Sequence, residues 1–107
     1  MAEDKYIDIA GVDEIPEGYA RVFEIRNRPI AVCRLGEEFF AISATCTHDN
    51  FRFEDGPVVD CEIECPRHGA RFDVRSGEVR RMPAVMPVET YPIRLESDRI
   101  LVRIEED

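Results

Sequence analysis

Short runs of apolar and β-favouring residues, broken every few positions by Gly, Pro, Asn or Asp, cover this chain. The 3.6-residue period of an amphipathic helix is absent over any useful length. The pattern predicts an all-β chain. Strands are expected from Tyr6 to Ala10, Tyr19 to Ile25, Ile30 to Leu35, Phe39 to Ser43, Val58 to Glu64, Arg71 to Val74, Glu78 to Arg80, Val88 to Leu95 and Arg99 to Ile104. Turns are expected at Asn27, Gly36, Gly56, Gly77 and the pair Ser97-Asp98, where the residue types suit tight backbone.

With 107 residues the chain is read as one domain, 1–107, large enough for a real core and too small for a second catalytic unit. It carries 23 Asp and Glu against 14 Lys and Arg, a net charge of -9. That balance argues against nucleic acid or an anionic membrane surface and favours a partner with a basic face, although acidity also serves solubility. The opening Met1-Ala2-Glu3-Asp4-Lys5 has no basic region followed by an apolar one, and no segment approaches the length of a membrane span. A soluble, cytoplasmic protein is expected.

Chemistry enters with two short arms. Cys46-Thr47-His48 is followed, after sixteen residues, by Cys65-Pro66-Arg67-His68-Gly69, and the two arms hold both histidines of the chain. Two thiolates and two imidazoles suit a tetrahedral zinc or an iron-sulfur cluster in which histidines replace cysteines on one iron. Structural zinc sites usually group like ligands, C-x2-4-C with H-x3-5-H. Here each arm supplies one Cys and one His, which favours the two-iron centre. The remaining cysteines, Cys33 after Ile30-Ala31-Val32 and Cys61 after Val58-Val59, read as small buried core residues.

The pattern C-x-H-x16-C-x-x-H, with Pro66 and Gly69 framing the second arm, resembles the Rieske 2Fe-2S family. The resemblance implies an incomplete antiparallel β-barrel or sandwich with an inserted cluster-binding lobe at about 44–87. It also implies one 2Fe-2S cluster, with Cys46 and Cys65 on one iron and His48 and His68 on the other. The proline stretch Met82-Pro83-Ala84-Val85-Met86-Pro87 resembles the family's third wall over the cluster. Gly69 is expected close to the sulfides, with backbone N–H groups available to them. Phe51 is expected to cover the cluster or rim the histidines, and Arg67 and Arg71 flank the second arm.

Departures from the family's respiratory branch sharpen the resemblance. Phe51 and Arg67 stand where that branch has a disulfide-forming pair of cysteines, and Ala70 and Phe72 stand where it has hydroxyls bonded to cluster sulfurs. The chain is therefore similar to the soluble, low-potential ferredoxins. This implies a monomeric electron carrier, not itself an enzyme, that takes electrons from a flavin reductase and passes them to a terminal enzyme such as a Rieske-type oxygenase. Two alternatives remain at this point: a small subunit of a nitrite reductase-like enzyme, and an accessory redox protein in iron-sulfur assembly. No histidine is left for an open non-haem iron site, and no nucleotide-binding motif occurs.

Overall fold

Four consecutive residues, Ile30, Ala31, Val32 and Cys33, are fully buried in the middle of one strand. Successive side chains of a strand point to opposite faces, so this strand has a core on each side. Ile30 and Val32 join one buried cluster, while Ala31 and Cys33 join another. The adjacent strand repeats the split, with Ala41 in the first cluster and Ile42 in the second.

The computed structural model describes residues 6–46, 52–66, 69–82 and 86–104. Strands in this region are β1 (Tyr6–Gly11), β2 (Tyr19–Ile25), β3 (Arg28–Leu35), β4 (Glu38–Ser43), β5 (Gly56–Pro57), β6 (Glu62–Glu64), β7 (Arg71–Asp73), β8 (Val79–Arg81), β9 (Thr90–Tyr91), β10 (Ile93–Glu96) and β11 (Arg99–Arg103). One 3-10 turn, Val12–Glu14, follows β1, and the Gly11 N–H donates to Glu14 Oε2 at 3.0 Å. Three antiparallel sheets result, in the orders β1-β11-β10, β5-β2-β3-β4-β9 and β6-β7-β8. Among the described residues no helix is long and apolar enough to cross a membrane.

The five-stranded sheet is the shared wall. Against one face, Ile100, Val102 and Ile104 pack on Ile15, Ile25, Ile30 and Val32. Against the other, Ile63, Phe72 and Val74 pack on Ala20, Ala31, Cys33, Ile42 and Ala44. Each fully buried aliphatic or aromatic side chain contributes about 1.5–3 kcal/mol to such a core. Small side chains on the second face let the third sheet and its loops approach the wall closely.

Two expected strands are divided. The stretch from Val58 to Glu64 is not one strand: Gly56–Pro57 pairs with β2, and Val59 and Glu62 then exchange backbone hydrogen bonds of 3.0 and 2.9 Å. Between them Asp60 and Cys61 both have positive φ, 56° and 63°. This pair of left-handed residues matches the twist of a two-residue hairpin. Arg26 and Asn27 do the same between β2 and β3, with φ of 53° and 68°. Cys61 is therefore a half-buried turn residue rather than a core residue, and Gly56 is a strand residue rather than a turn.

The stretch from Val88 to Leu95 is divided at Pro92, which has no N–H for a ladder. Before it, β9 pairs with β4; after it, β10 pairs with β11 in another sheet. The chain crosses from one sheet to another at that residue.

Gly77 ties the third sheet to the segment that follows the proline stretch. Its carbonyl accepts the Val88 N–H at 2.9 Å, its φ is +79°, and a Cβ there would run into the Val88 carbonyl. Gly36, at φ +63°, faces open space. Chemical denaturation should therefore show Gly36→Ala costing about 1 kcal/mol, the penalty of left-handed backbone alone, and Gly77→Ala costing clearly more. Equal losses would mean that Val88 is not held against Gly77.

Candidate metal centre

Both cysteine arms leave the sheets through closed necks. After β4, Ala44 donates its N–H to the Pro29 carbonyl at 2.9 Å, Thr45 bridges to Arg52, and the Phe53 N–H returns to the Ala44 carbonyl at 2.7 Å. Cys46 is the first residue inside this neck. Asp55 fastens the returning chain, since its Oδ1 accepts the Val22 N–H at 2.7 Å from the open side of β2.

The second arm is the tip of the β6-β7 hairpin. Its register pairs Glu62 with Asp73, Ile63 with Phe72 and Glu64 with Arg71. One step further, the Cys65 N–H donates to the Ala70 carbonyl at 2.7 Å, and the Gly69 N–H donates to the Cys65 carbonyl at 3.0 Å. Gly69 takes φ +82° to make that return, a conformation that glycine adopts without steric cost. Its N–H is thus taken by the Cys65 carbonyl.

The necks bring Cys46 and Cys65 into one buried cluster, each only 1 % exposed, together with Phe53, Ala70, Phe72 and Val88. Phe53 and Phe72 meet with ring centroids 5.7 Å apart at 50°, a tilted arrangement of the kind aromatic pairs favour. Sequence reasoning passed over Phe53 and Asp55. The signal for Phe53 was the alternation Phe51-Arg52-Phe53, a pattern that in an extended chain sets both aromatic positions on one face and the arginine on the other.

His48, His68, Phe51 and Arg67 lie outside the described residues, as do Pro83 to Val85 of the proline stretch. At the edges of that stretch Met82 is 75 % exposed and Met86 60 % exposed, so neither is buried as a wall; Val88 is the residue that packs inward. Arg71 flanks the second arm as expected, and its guanidinium is held by Glu64 and Glu62.

The four cysteines separate by environment, and no disulfide joins them. Cys33 lies inside β3, where loss of solvent pushes its thiol up to about 12; it stays protonated. The half-buried Cys61 accepts a hydrogen bond from Arg75 Nη2 at 3.1 Å. Cys46 and Cys65 alone sit at the first positions of closed loops. Among the described residues no polar or charged side chain is fully buried with them. An iron pair held by both sulfurs at that depth would bring the positive charge that such a buried site needs. The donor set fits a soft, thiolate-loving metal.

Comparison with known proteins agrees with this chemistry. The model of the Rieske [2Fe-2S] domain matches residues 5–92. The ferredoxin component of biphenyl 2,3-dioxygenase from Rhodococcus jostii (strain RHA1) is 37 % identical over 97 residues, covering 91 % of each chain. Among solved structures, the ferredoxin of carbazole 1,9a-dioxygenase from Nocardioides aromaticivorans IC177 superposes with a TM-score of 0.86 at 33 % identity, covering 92 % of this chain and 96 % of that one. The ferredoxin in a complex of reduced oxygenase and oxidized ferredoxin of carbazole 1,9a-dioxygenase superposes with a TM-score of 0.85 at 26 % identity over 98 % of both chains. This chain belongs to the Rieske [2Fe-2S] domain family, whose cofactor is a single 2Fe-2S cluster held by two cysteines and two histidines.

The cysteine environments have a measurable consequence. Mass mapping of the folded protein after brief maleimide treatment should find label on Cys61 and none on Cys33. Because Cys33 is raised from 9.0 to about 12, the folded state keeps a proton that the unfolded chain loses above pH 9. Its contribution to stability is therefore full below pH 9 and declines as pH rises toward 12. Cys33→Ala should remove that part of the alkaline decline in denaturation profiles; an unchanged profile would contradict the assignment.

Proposed function

We propose that this chain is a soluble, cytoplasmic one-electron carrier that binds its 2Fe-2S cluster through Cys46, His48, Cys65 and His68. In this reading it is one domain, 1–107, with its cluster-binding lobe at about 44–87. It acts as a monomer, taking electrons from a flavin reductase and delivering them to a terminal oxygenase. The observation that carries the reading is the burial of Cys46 and Cys65 together at the necks of the two loops that bear the chain's two histidines. The relatives' description as ferredoxin components of dioxygenase systems supports the direction of transfer.

The cluster supplies reversible one-electron chemistry. What the chain supplies is a dry, apolar seat of Phe53, Ala70, Phe72 and Val88 behind the sulfurs, and rigid necks that keep the two cysteines in place. Ala70 and Phe72, both fully buried, carry no hydroxyl to donate toward a cluster sulfur. Fewer donors leave an added electron less stabilised, so the potential is expected near the low end of the roughly -150 to +300 mV spanned by such centres.

The test is electron delivery by the purified protein. Reduced with a flavin reductase and mixed with a terminal Rieske oxygenase, it should give up one electron per chain through contacts that weaken with salt. A complex that survives high salt would instead favour a fixed enzyme subunit. Cys46→Ser, Cys65→Ser, His48→Ala and His68→Ala should each lose the native cluster spectrum, while Cys33→Ser and Cys61→Ser keep iron and acid-labile sulfide at wild-type levels. Cluster loss in either of the last two would overturn the ligand assignment.

Potentiometry adds an independent check. Ala70→Ser should raise the midpoint by something on the order of 40 mV, the equivalent of a ~1 kcal/mol hydrogen bond at about 59 mV per tenfold for one electron. Phe72→Tyr should act in the same direction. A lower midpoint in both variants would mean that these positions do not face the cluster.

A further inference from the structure

Outside the neck of the second arm, a shallow groove is lined by Glu54, Asp55, Glu62 and Glu64, with Pro66 at its edge. Among its described lining residues Arg71 is the only cation. Arg71 directly follows Ala70 and stands opposite Glu64, the residue before Cys65. Its Nε and Nη2 both reach Glu64 Oε1 at 3.2 Å, and its Nη1 lies 3.6 Å from Glu62 Oε1. The guanidinium thus spans the hairpin one residue behind the backbone bond that closes the loop.

Strand alternation separates the two faces of this hairpin. Ile63, Cys65, Ala70 and Phe72 are buried, while Glu62, Glu64 and Arg71 line the groove on the outer side. Glu62 and Glu64 are two residues apart on one face, and like charges so placed repel. Arg71 relieves that repulsion, and its side chain is only 31 % exposed, so solvent screens it incompletely. In a chain of net charge -9, the electron entering the centre adds to an existing negative field. The cation at the base of the ligand loop lowers the cost.

From this we propose that Arg71 is a positioning residue with two roles. It holds the neck of the Cys65 loop through Glu64, and it supplies the local positive charge that makes the centre easier to reduce. The proposal rests on the reading of Cys46, His48, Cys65 and His68 as cluster ligands, and it names a determinant of potential outside the hydrogen bonds to the cluster.

The experiment is potentiometry of the purified holoprotein at low and high salt, beside hydrogen exchange of the Cys65 amide. Arg71→Gln should lower the equilibrium constant for accepting an electron about threefold, equivalent to ~28 mV at 59 mV per tenfold, and should speed exchange at Cys65. Glu64→Gln should raise the constant by a similar factor while also speeding exchange. Both shifts should shrink in 1 M salt. Arg71→Lys should restore the midpoint but not the exchange protection, since an ammonium keeps the charge without the fork.

A purely structural role would move exchange in both Gln variants but would not shift their midpoints in opposite directions. Unchanged midpoints at low salt, with intact cluster spectra, would overturn the proposal. If Arg71→Gln fails to fold, Glu62→Gln and Glu64→Gln decide it, because each must raise the midpoint. A wild-type protein without a cluster would instead refute the ligand assignment on which the proposal rests.

Discussion

Cys46 and Cys65 are buried together in an apolar core, each at the neck of a loop, and the rest of the structure is arranged around that pair. A buried anion without a partner costs several kcal/mol, so a cofactor bound through buried thiolates must itself balance their charge. Metal binding and the folding of the surrounding lobe are consequently coupled. Cys33 shows the opposite outcome a short way off: equally buried, within a strand of the same cluster, it keeps its proton. The difference lies in the backbone. Cys46 and Cys65 open loops that carry a second donor residue, whereas Cys33 is fixed between two ladders.

The doubly buried strand β3 makes the arrangement stable enough to bear such a lobe. One face of its sheet packs on β11 through large aliphatic side chains, a core that needs no cofactor. The other presents Ala20, Ala31 and Ala44, whose small size admits Phe53, Phe72 and the sulfur-bearing loops. A single sheet therefore joins a self-sufficient core to a cofactor-dependent one. Backbone bonds from Ala44 to Pro29 and from Ser43 to Glu89 tie the start of the loop bearing Cys46 to the sheet that both cores share.

The all-β class, most strand positions and the two cysteine arms were legible in the sequence, because alternation and ligand spacing are local signals. The misjudged elements share a cause. Asp60 and Cys61 form a tight turn inside an apolar run, and nothing local distinguishes a left-handed Cys61 from a strand residue until the pairing of Val59 with Glu62 is known. Pro92 was visible, but its effect, a crossing between sheets, depends on which neighbours β9 and β10 find. Phe53 escaped notice because its value comes from contact with Phe72, nineteen positions away in sequence. Arg71 was legible only as a neighbour of the second arm, since its two carboxylate partners are assembled only by the hairpin register.

Electrostatics connects these pieces to electron transfer. An acidic surface assists encounter with a basic partner, yet the same charge opposes reduction of a centre lying beneath it. The conflict is sharpest at the second arm, where Glu62 and Glu64 flank the strand that leads into Cys65. Neutralising them would ease reduction but would also remove carboxylates from the face nearest that loop. One arginine between them offsets the two carboxylates locally: Glu64 stays half exposed while paired with Arg71, and the guanidinium sits on the side of the hairpin neck.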